Sequence, residues 1–362
     1  MEAPREILQK AKETIDDVLS ACTGLDSISR KLVVYWTLAT HCLEHAKMFP
    51  LLLLKGPMGT GKSVTLRIIK VFAYRPVVFS ARGSTLPVIR DHLARCNEGT
   101  AIIEEADEGW KGDQTLEALL SDRYQKDSAE AALKVGTPEN YVTVTVHIFG
   151  ATVLHRRKPF SDPALKARSV LVLFKANHEK TYSEFSENDP SVQEAREMVK
   201  ELSFVAEGVP CPTGIAARVW DTYKYVVSIA QMCGDKDFLP SIMDRLLSET
   251  ATLIADQSEE PNGLVLRAIM ERISSGDKDI KFRNVRFSEI VESIWKNFQV
   301  PMRPQQVGTI VRELRFKTKE SHGVTVVVAD PASLLKACDE VGYDDDAIRA
   351  LRSAVLGQGL PG

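Results

Sequence analysis

Apolar positions recur at helical spacing twice before residue 48, at Ile7, Ala11, Ile15 and Val18 and then at Leu32, Val33, Trp36, Leu38, Ala39 and Leu43. This spacing predicts two amphipathic helices. The pattern then changes. Phe49–Leu54 (FPLLLL) is continuously apolar, as expected of a parallel strand covered on both faces, and runs into a glycine-rich turn at Gly56. Beyond the turn the pattern predicts helices over 62–71, 86–96 and 116–124 and strands over 76–80, 101–104, 141–151 and 170–174. Helices alternating with strands predict an α/β fold with a parallel sheet.

From Ala176 to Pro190 the chain turns polar, and only helical periodicity follows, over 192–207, 214–232 and 240–255. A second polar break, DQSEEPNG at 256–263, precedes predicted helices over 264–273, 287–298 and 304–314 and a strand over 324–328. Three helices followed by a β-ribbon predict a winged helix. The expected organisation is an N-terminal helical segment (1–47), an α/β core (48–176), a helical subdomain (177–258), a winged-helix domain (259–336) and a tail (337–362).

Composition narrows the class without deciding it. With 44% hydrophobic and 26% charged residues, and a net charge of −3, the chain is neither disordered nor a uniformly basic nucleic-acid binder. Its six cysteines form no CxxC pair, so neither a zinc site nor a disulfide framework is expected. The charged, helix-like N-terminus has no apolar leader segment, and FPLLLL is too short to span a bilayer. These features predict a cytoplasmic protein that does not cross a membrane.

Gly56-Pro57-Met58-Gly59-Thr60-Gly61-Lys62-Ser63 matches GxxxxGK[ST] and lies between a buried strand and a helix. Glycines let successive N–H groups curl around phosphates, and the helix N-terminus adds positive potential. Lys62 would reach the β and γ oxygens, and the Ser63 hydroxyl would ligate Mg²⁺. About forty residues on, Ala101-Ile102-Ile103-Glu104-Glu105 is an apolar strand ending in two carboxylates. Glu104 is suited to the Mg²⁺ shell and Glu105 to polarising the attacking water. Without the glycine loop, the same carboxylates would read as an ordinary acidic turn; Asp107 and Glu108 read as helix-start charges. No Asn-Lys-x-Asp guanine-recognition element occurs, which favours ATP over GTP.

LLLLKGPMGTGKS together with IIEEAD resembles the Walker A and Walker B elements of AAA+ ATPases, especially the replication-helicase-like ATPases of phages, plasmids and mobile elements. The likeness spans roughly residues 25–255. The family's usual Asp-Glu pair is Glu104-Glu105 here, which keeps both carboxylates but moves the metal-side one outward by a methylene. The resemblance implies a P-loop AAA+ core, a helical lid, and assembly as a homo-oligomer, in the form of a hexameric ring. It further implies a polar sensor 1 residue at the end of the next core strand, where TVHIFGAT offers Thr152. An arginine finger acting on a neighbouring subunit is also implied. Arg168, closing Asp162-Pro163-Ala164-Leu165-Lys166-Ala167-Arg168, is the candidate, with Arg156 and Arg157 as rivals. A lid arginine would be Arg245, in the first turn of a long helix, or else Arg218.

Residues 278–319 carry ten basic side chains (Lys278, Lys281, Arg283, Arg286, Lys296, Arg303, Arg312, Arg315, Lys317, Lys319) against four acidic ones, in a chain whose total is −3. Arg303-Pro304 starts the third predicted helix, Gln305, Gln306, Thr309 and Arg312 recur at helical spacing on its exposed side, and Lys317, Lys319 and His322 lie in the ribbon after it. That arrangement suits DNA, with the helix in a groove and the ribbon on the phosphates. A packing module with solvated charges would look the same. Lys126 and Lys134 fall in a segment that forms a pore-facing hairpin in helicase-like relatives, and His155, Arg156, Arg157 and Lys158 form a further basic cluster. The sequence thus points to an ATP-hydrolysing motor acting on DNA. The alternatives are an ATP-dependent loader or protein-remodelling ATPase, and a nucleotide-switched DNA-binding regulator without unwinding.

Overall fold

In a computed structural model of the chain, the residues described are 4–82, 84–106, 113–137, 140–156, 160, 162–175, 182–200, 202–273, 284–321, 324–341, 343, 348–349 and 351–352. They divide into two compact units, Met1–Glu249 and Thr250–Gly362.

The first unit opens with α1 (Pro4–Cys22) and α2 (Ser27–Ala39). Asp26 caps α2, accepting from Ser29 N at 2.9 Å. The α/β portion runs β1 (Leu51–Lys55), α3 (Lys62–Phe72), β2 (Pro76–Ser80), α4 (Leu86–Arg95), β3 (Gly99–Glu104), α5 (Asp113–Arg123), β4 (Glu130–Thr137), β5 (Asn140–His147), β6 (Gly150–Arg156), α6 (Pro163–Lys166) and β7 (Ser169–Leu173). Helices α7 (Pro190–Lys200), α8 (Ala217–Met232) and α9 (Phe238–Glu259) follow, and the division between units falls within α9.

Five strands form one parallel sheet in the order β2-β3-β6-β1-β7. Leu51–Leu54 are buried because β1 lies between two strands and under helices, which is why its sequence is continuously apolar instead of alternating. This sheet is compatible with a P-loop-like α/β core. Because every strand points the same way, the segments after β1, β2, β3, β6 and β7 all emerge at one edge, where open α/β sheets bind ligands. The N-terminal helices are built into this unit: α1 packs on α7 and α2 on α8, and Trp36 Nε1 donates to Pro50 O at 3.0 Å.

Two expectations change. The predicted strand over 141–151 is two elements: β5 pairs with β4 as a separate antiparallel hairpin, and β6 begins afresh at Gly150. A Cβ at Gly150 would stand 2.4 Å from Gly99 O and 2.5 Å from an Arg123 nitrogen, so only glycine lets the chain enter the sheet there. The predicted helix over 192–207 stops at Lys200. Beyond it Leu202 and Phe204 are buried, and the backbone bonds sideways, with Phe204 N donating to His41 O at 3.3 Å.

The second unit contains α10 (Pro261–Ile273), β8 (Asn284–Arg286), α11 (Phe287–Phe298), α12 (Pro304–Glu313), β9 (Lys317–Ser321), β10 (Val324–Val328) and α13 (Pro331–Val341). Its strands form an antiparallel sheet in the order β8-β10-β9. Leu266, Ile269, Val285, Ile290, Val307, Val311, Val327 and Leu334 share one core, and Cys338, Val341 and Ile348 join it, so the expected tail is part of this core.

Candidate functional site

The glycine loop leaves the C-terminal end of β1 and returns as the first turn of α3. Gly59 and Gly61 have φ of +76° and +95°, left-handed values that glycine adopts without a steric penalty. Gly56 serves a different purpose: a Cβ there would lie 2.6 Å from Phe174 Cβ and 2.7 Å from Phe174 O. Its bare backbone lets the loop root pass against the end of β7, where Phe174 N donates to Lys55 O at 2.7 Å. Thr60 Oγ1 donates to Pro57 O at 2.8 Å, closing the loop on itself. The Lys62 ammonium folds inward and donates to Gly56 O at 2.8 Å and to Pro57 O.

Helix α3 has Gly61 at its N-cap, and a glycine supplies no side-chain cap to the first turn. A cleft of about 410 Å³ lies over the loop, lined by Met58 to Val64, Cys22, His155, Tyr182 and Ser183. Burial pushes the Cys22 thiol up from its ordinary pKa, which keeps it protonated at neutral pH. A glycine cradle, an uncapped helix start, an ammonium and a hydroxyl (Ser63) fit a bound phosphate chain and its cation.

Glu104 ends β3 and Glu105 follows it at the same edge of the sheet. Glu105 has φ of +50°, unusual for a residue with a side chain. Its N–H donates to His155 Nε2 at 3.2 Å, and its carboxylate lies 3.9 Å from Arg82, which follows β2. The loop, both carboxylates and His155 therefore share one edge. Asp107 and Glu108 lie outside the described residues.

Thr152 does not belong to this group. It is the third residue of β6, in register with Leu51 at the start of β1, whereas the loop begins after Lys55. Four residues at about 3.3 Å each put it roughly 13 Å from the loop along the strand. Thr152 is buried and accepts from Arg123 Nε at 3.0 Å. Reading residues 141–151 as one strand placed the strand end too early; the residue at the loop end of β6 is His155, opposite Leu54. The signal that could have found it is the fresh apolar run Ala151–Leu154 after the hairpin.

The arginines are dispersed. Arg168 sits at the far edge of the sheet: its carbonyl accepts from Leu51 N at 3.0 Å, and its guanidinium donates to Ser121 and stacks 5.1 Å above the Tyr124 ring. Arg156 is buried in an ion pair with Glu117 at 2.9 Å, which removes it as a rival finger. Arg157 and Lys158 lie outside the described residues. Arg245 is in the third turn of α9, not the first. It donates to Tyr223 Oη and Glu249 Oε1 at 2.9 Å each and to Leu171 O, a residue level with the middle of β1. Burial pulls its pKa down, but Tyr223 and Glu249 outweigh this and leave it raised. Arg245 therefore braces α9, α8 and β7 instead of reaching the loop. Arg218 lies near Ala164 O at 3.5 Å, at the start of the α6–β7 edge.

Lys126 precedes the hairpin and is engaged within the unit, pairing with Glu98 at 2.5 Å and donating to Glu44 O at 3.0 Å. Lys134 is on β4 opposite Thr143; its side chain lies outside those described.

In the second unit Gln305, Gln306, Thr309 and Arg312 are exposed on α12 and Arg303 is exposed at its N-cap, while Val307, Ile310 and Val311 are buried. Gln306 Oε1 accepts from Arg303 N at 2.8 Å, so this glutamine also caps the helix. Arg312 Nε donates to Gly308 O at 3.0 Å. Lys317 and Lys319 are exposed on β9, opposite Val328 and Val326. Lys278, Lys281, Arg283 and His322 lie outside the described residues.

No protein-family model and no curated protein matches the sequence. Among solved structures, the chain is similar to the C-terminal region of NrS-1 in its A form apo structure, at 12% identity over 88% of this chain and 75% of that one, with a TM-score of 0.39. A second structure of that region gives 13% identity over 90% and 76%, with a TM-score of 0.38. These values are too low to carry an argument about activity. No helix among the described residues is long and apolar enough to cross a membrane.

Proposed function

We propose that the chain is an ATP-hydrolysing motor that acts on DNA, of the replication-helicase type. The observation that carries the reading is convergence: the glycine loop, Lys62, Ser63, Glu104 and Glu105 come from separate parts of the sequence and meet at one edge of a parallel sheet. In this reading Lys62 and the first amides of α3 hold the phosphates. Ser63 and Glu104 would hold Mg²⁺, which neutralises charge on the phosphate oxygens when bound. Glu105 accepts the proton of a water aligned for attack on the γ-phosphorus.

In this reading the chain assembles as a ring, and Arg168, at the opposite edge from its own loop, acts on a neighbouring copy's nucleotide. The second unit, with three helices and an antiparallel sheet, is read as a winged helix. Its exposed α12 face and the β9 lysines are the DNA-contacting surface.

The test is steady-state ATP hydrolysis by wild type and Lys62→Ala, each alone, with single-stranded DNA and with duplex. Turnover that rises with DNA and vanishes in Lys62→Ala is expected. Lys62-dependent turnover indifferent to DNA would replace the motor by a protein-remodelling ATPase, and no turnover would leave a nucleotide-switched regulator.

A further inference from the structure

We infer that Glu117 is a positioning residue that fixes the segment carrying Arg168 toward a neighbouring copy; this rests on the ring-forming ATPase reading above. Glu117 lies on α5 and is 2% exposed, and a carboxylate that deep is stable only where partners take up its charge. Its two oxygens are committed to different parts of the chain. Oε1 accepts from Arg156 Nη1 at 2.9 Å, and Oε2 accepts from the backbone N–H of Asp162 at 2.8 Å. The Arg156 side chain is buried as well and lies 5.1 Å from the centre of the Phe160 ring. Held ionised by this guanidinium, the carboxylate makes a charge-assisted bond to the Asp162 amide, about twice as strong as a neutral one.

That amide begins the arginine's own segment. Asp162 caps α6, its Oδ1 accepting from Ala164 N at 2.8 Å, and the segment ends at Arg168, whose carbonyl accepts from Leu51 N at 3.0 Å. A helix of four residues has no stability of its own, so the place of α6 is set by what grips its two ends. The sheet fixes the far end and Glu117 the near one. Thr222 Oγ1 donates to Ala167 O at 2.8 Å, a neutral bond at the end the sheet already fixes, and Arg218 approaches Ala164 O only at 3.5 Å. The Arg168 guanidinium donates to Ser121, one helical turn beyond Glu117 and so on the same face of α5. One face of α5 therefore sets both where the segment starts and where its arginine side chain departs.

The experiment separates the copy that offers the arginine from the copy that offers the loop. Full-length Lys62→Ala and Arg168→Ala chains are co-expressed with different tags and purified through both, so that each assembly holds both. Turnover is expected where an intact loop of an Arg168→Ala chain meets the intact arginine of a Lys62→Ala chain. Glu117→Gln is then added to one chain or to the other. On the Lys62→Ala chain it should lower kcat about 10- to 100-fold, and on the Arg168→Ala chain leave it within about threefold. Arg156 ends β6 opposite Lys55, so the second placement also reports any disturbance of the variant's own loop. If Glu117→Gln does not fold, the double variant Glu117→Met with Arg156→Met decides, because it removes both buried charges together and still takes the acceptor from Asp162. Equal losses in the two placements, or none on the Lys62→Ala chain, would overturn the inference and leave the ATPase reading intact. Inactive mixed assemblies beside an active wild type would overturn it too, by removing Arg168 from the neighbouring site. A wild type without Lys62-dependent hydrolysis would overturn both readings.

Discussion

Replacing Arg123 by methionine removes the most deeply committed charge in the first unit. The guanidinium is 1% exposed at the end of the sheet away from the glycine loop. It donates to Leu93 O at 3.3 Å, Cys96 O, Gly99 O and Thr152 Oγ1 at 3.0 Å each, Ala151 O at 3.2 Å, and Ile148 O. Burial pulls its pKa down from the ordinary arginine value, and the neighbouring Cys96 thiol counters part of this. Methionine fills part of the volume and offers no donor. Leu93 O and Cys96 O keep backbone partners in Cys96 N and Gly99 N, so the loss concentrates on the other acceptors. Each buried acceptor left without its partner costs about 1–3 kcal/mol, part of which is returned because the guanidinium no longer has to be desolvated. The net expectation is about 3–5 kcal/mol, the usual cost of breaking a buried charged network from one side. Urea denaturation followed by far-UV circular dichroism measures it, with the second unit, which holds none of these groups, as internal reference. A first-unit loss below about 1 kcal/mol would refute the claim that Arg123 ties α5 to the sheet and hairpin base.

Gly56→Ala places a methyl against the Phe174 backbone, so nucleotide-analogue affinity is expected to fall at least about tenfold, with about 1–3 kcal/mol of lost stability; unchanged affinity would show that the loop root can shift freely. Asp330 caps α13, accepting from Ser333 N at 3.0 Å and Ser333 Oγ at 2.7 Å, and these bonds hold its pKa below the ordinary 3.8. The cap's contribution, about 1 kcal/mol, is therefore full above pH 3.8 and is lost as pH falls through the depressed folded value. The stability gap between wild type and Asp330→Ala, read from second-unit unfolding, should close below that pH; a gap independent of pH would contradict the cap. If the proposed DNA surface is right, Lys317→Gln and Lys319→Gln should each reduce the slope of log affinity against log salt for duplex DNA by about one, and unaltered slopes would remove β9 from that proposed surface.

The linear chain displays what depends on neighbours in sequence. The apolar run at Leu51–Leu54, the spacing of Gly56 to Ser63 and the carboxylates after Ile103 identify the loop and its strands, because phosphate binding by a strand–loop–helix unit is local chemistry. The faces of α11 and α12 are equally legible, since burial of one side imposes the helical period. Residue roles that depend on register are not. Thr152 and His155 are three residues apart on one strand, and only the pairing of β6 with β1 decides which stands beside the loop. Arg123, Arg156 and Arg245 look alike in sequence as free cations. In the fold they are drawn to carbonyls, a buried carboxylate and a tyrosine, because a charge brought inside must find partners wherever packing supplies them. Which strand end is near, and which cation is already spent, are properties of three-dimensional neighbours that no local pattern encodes.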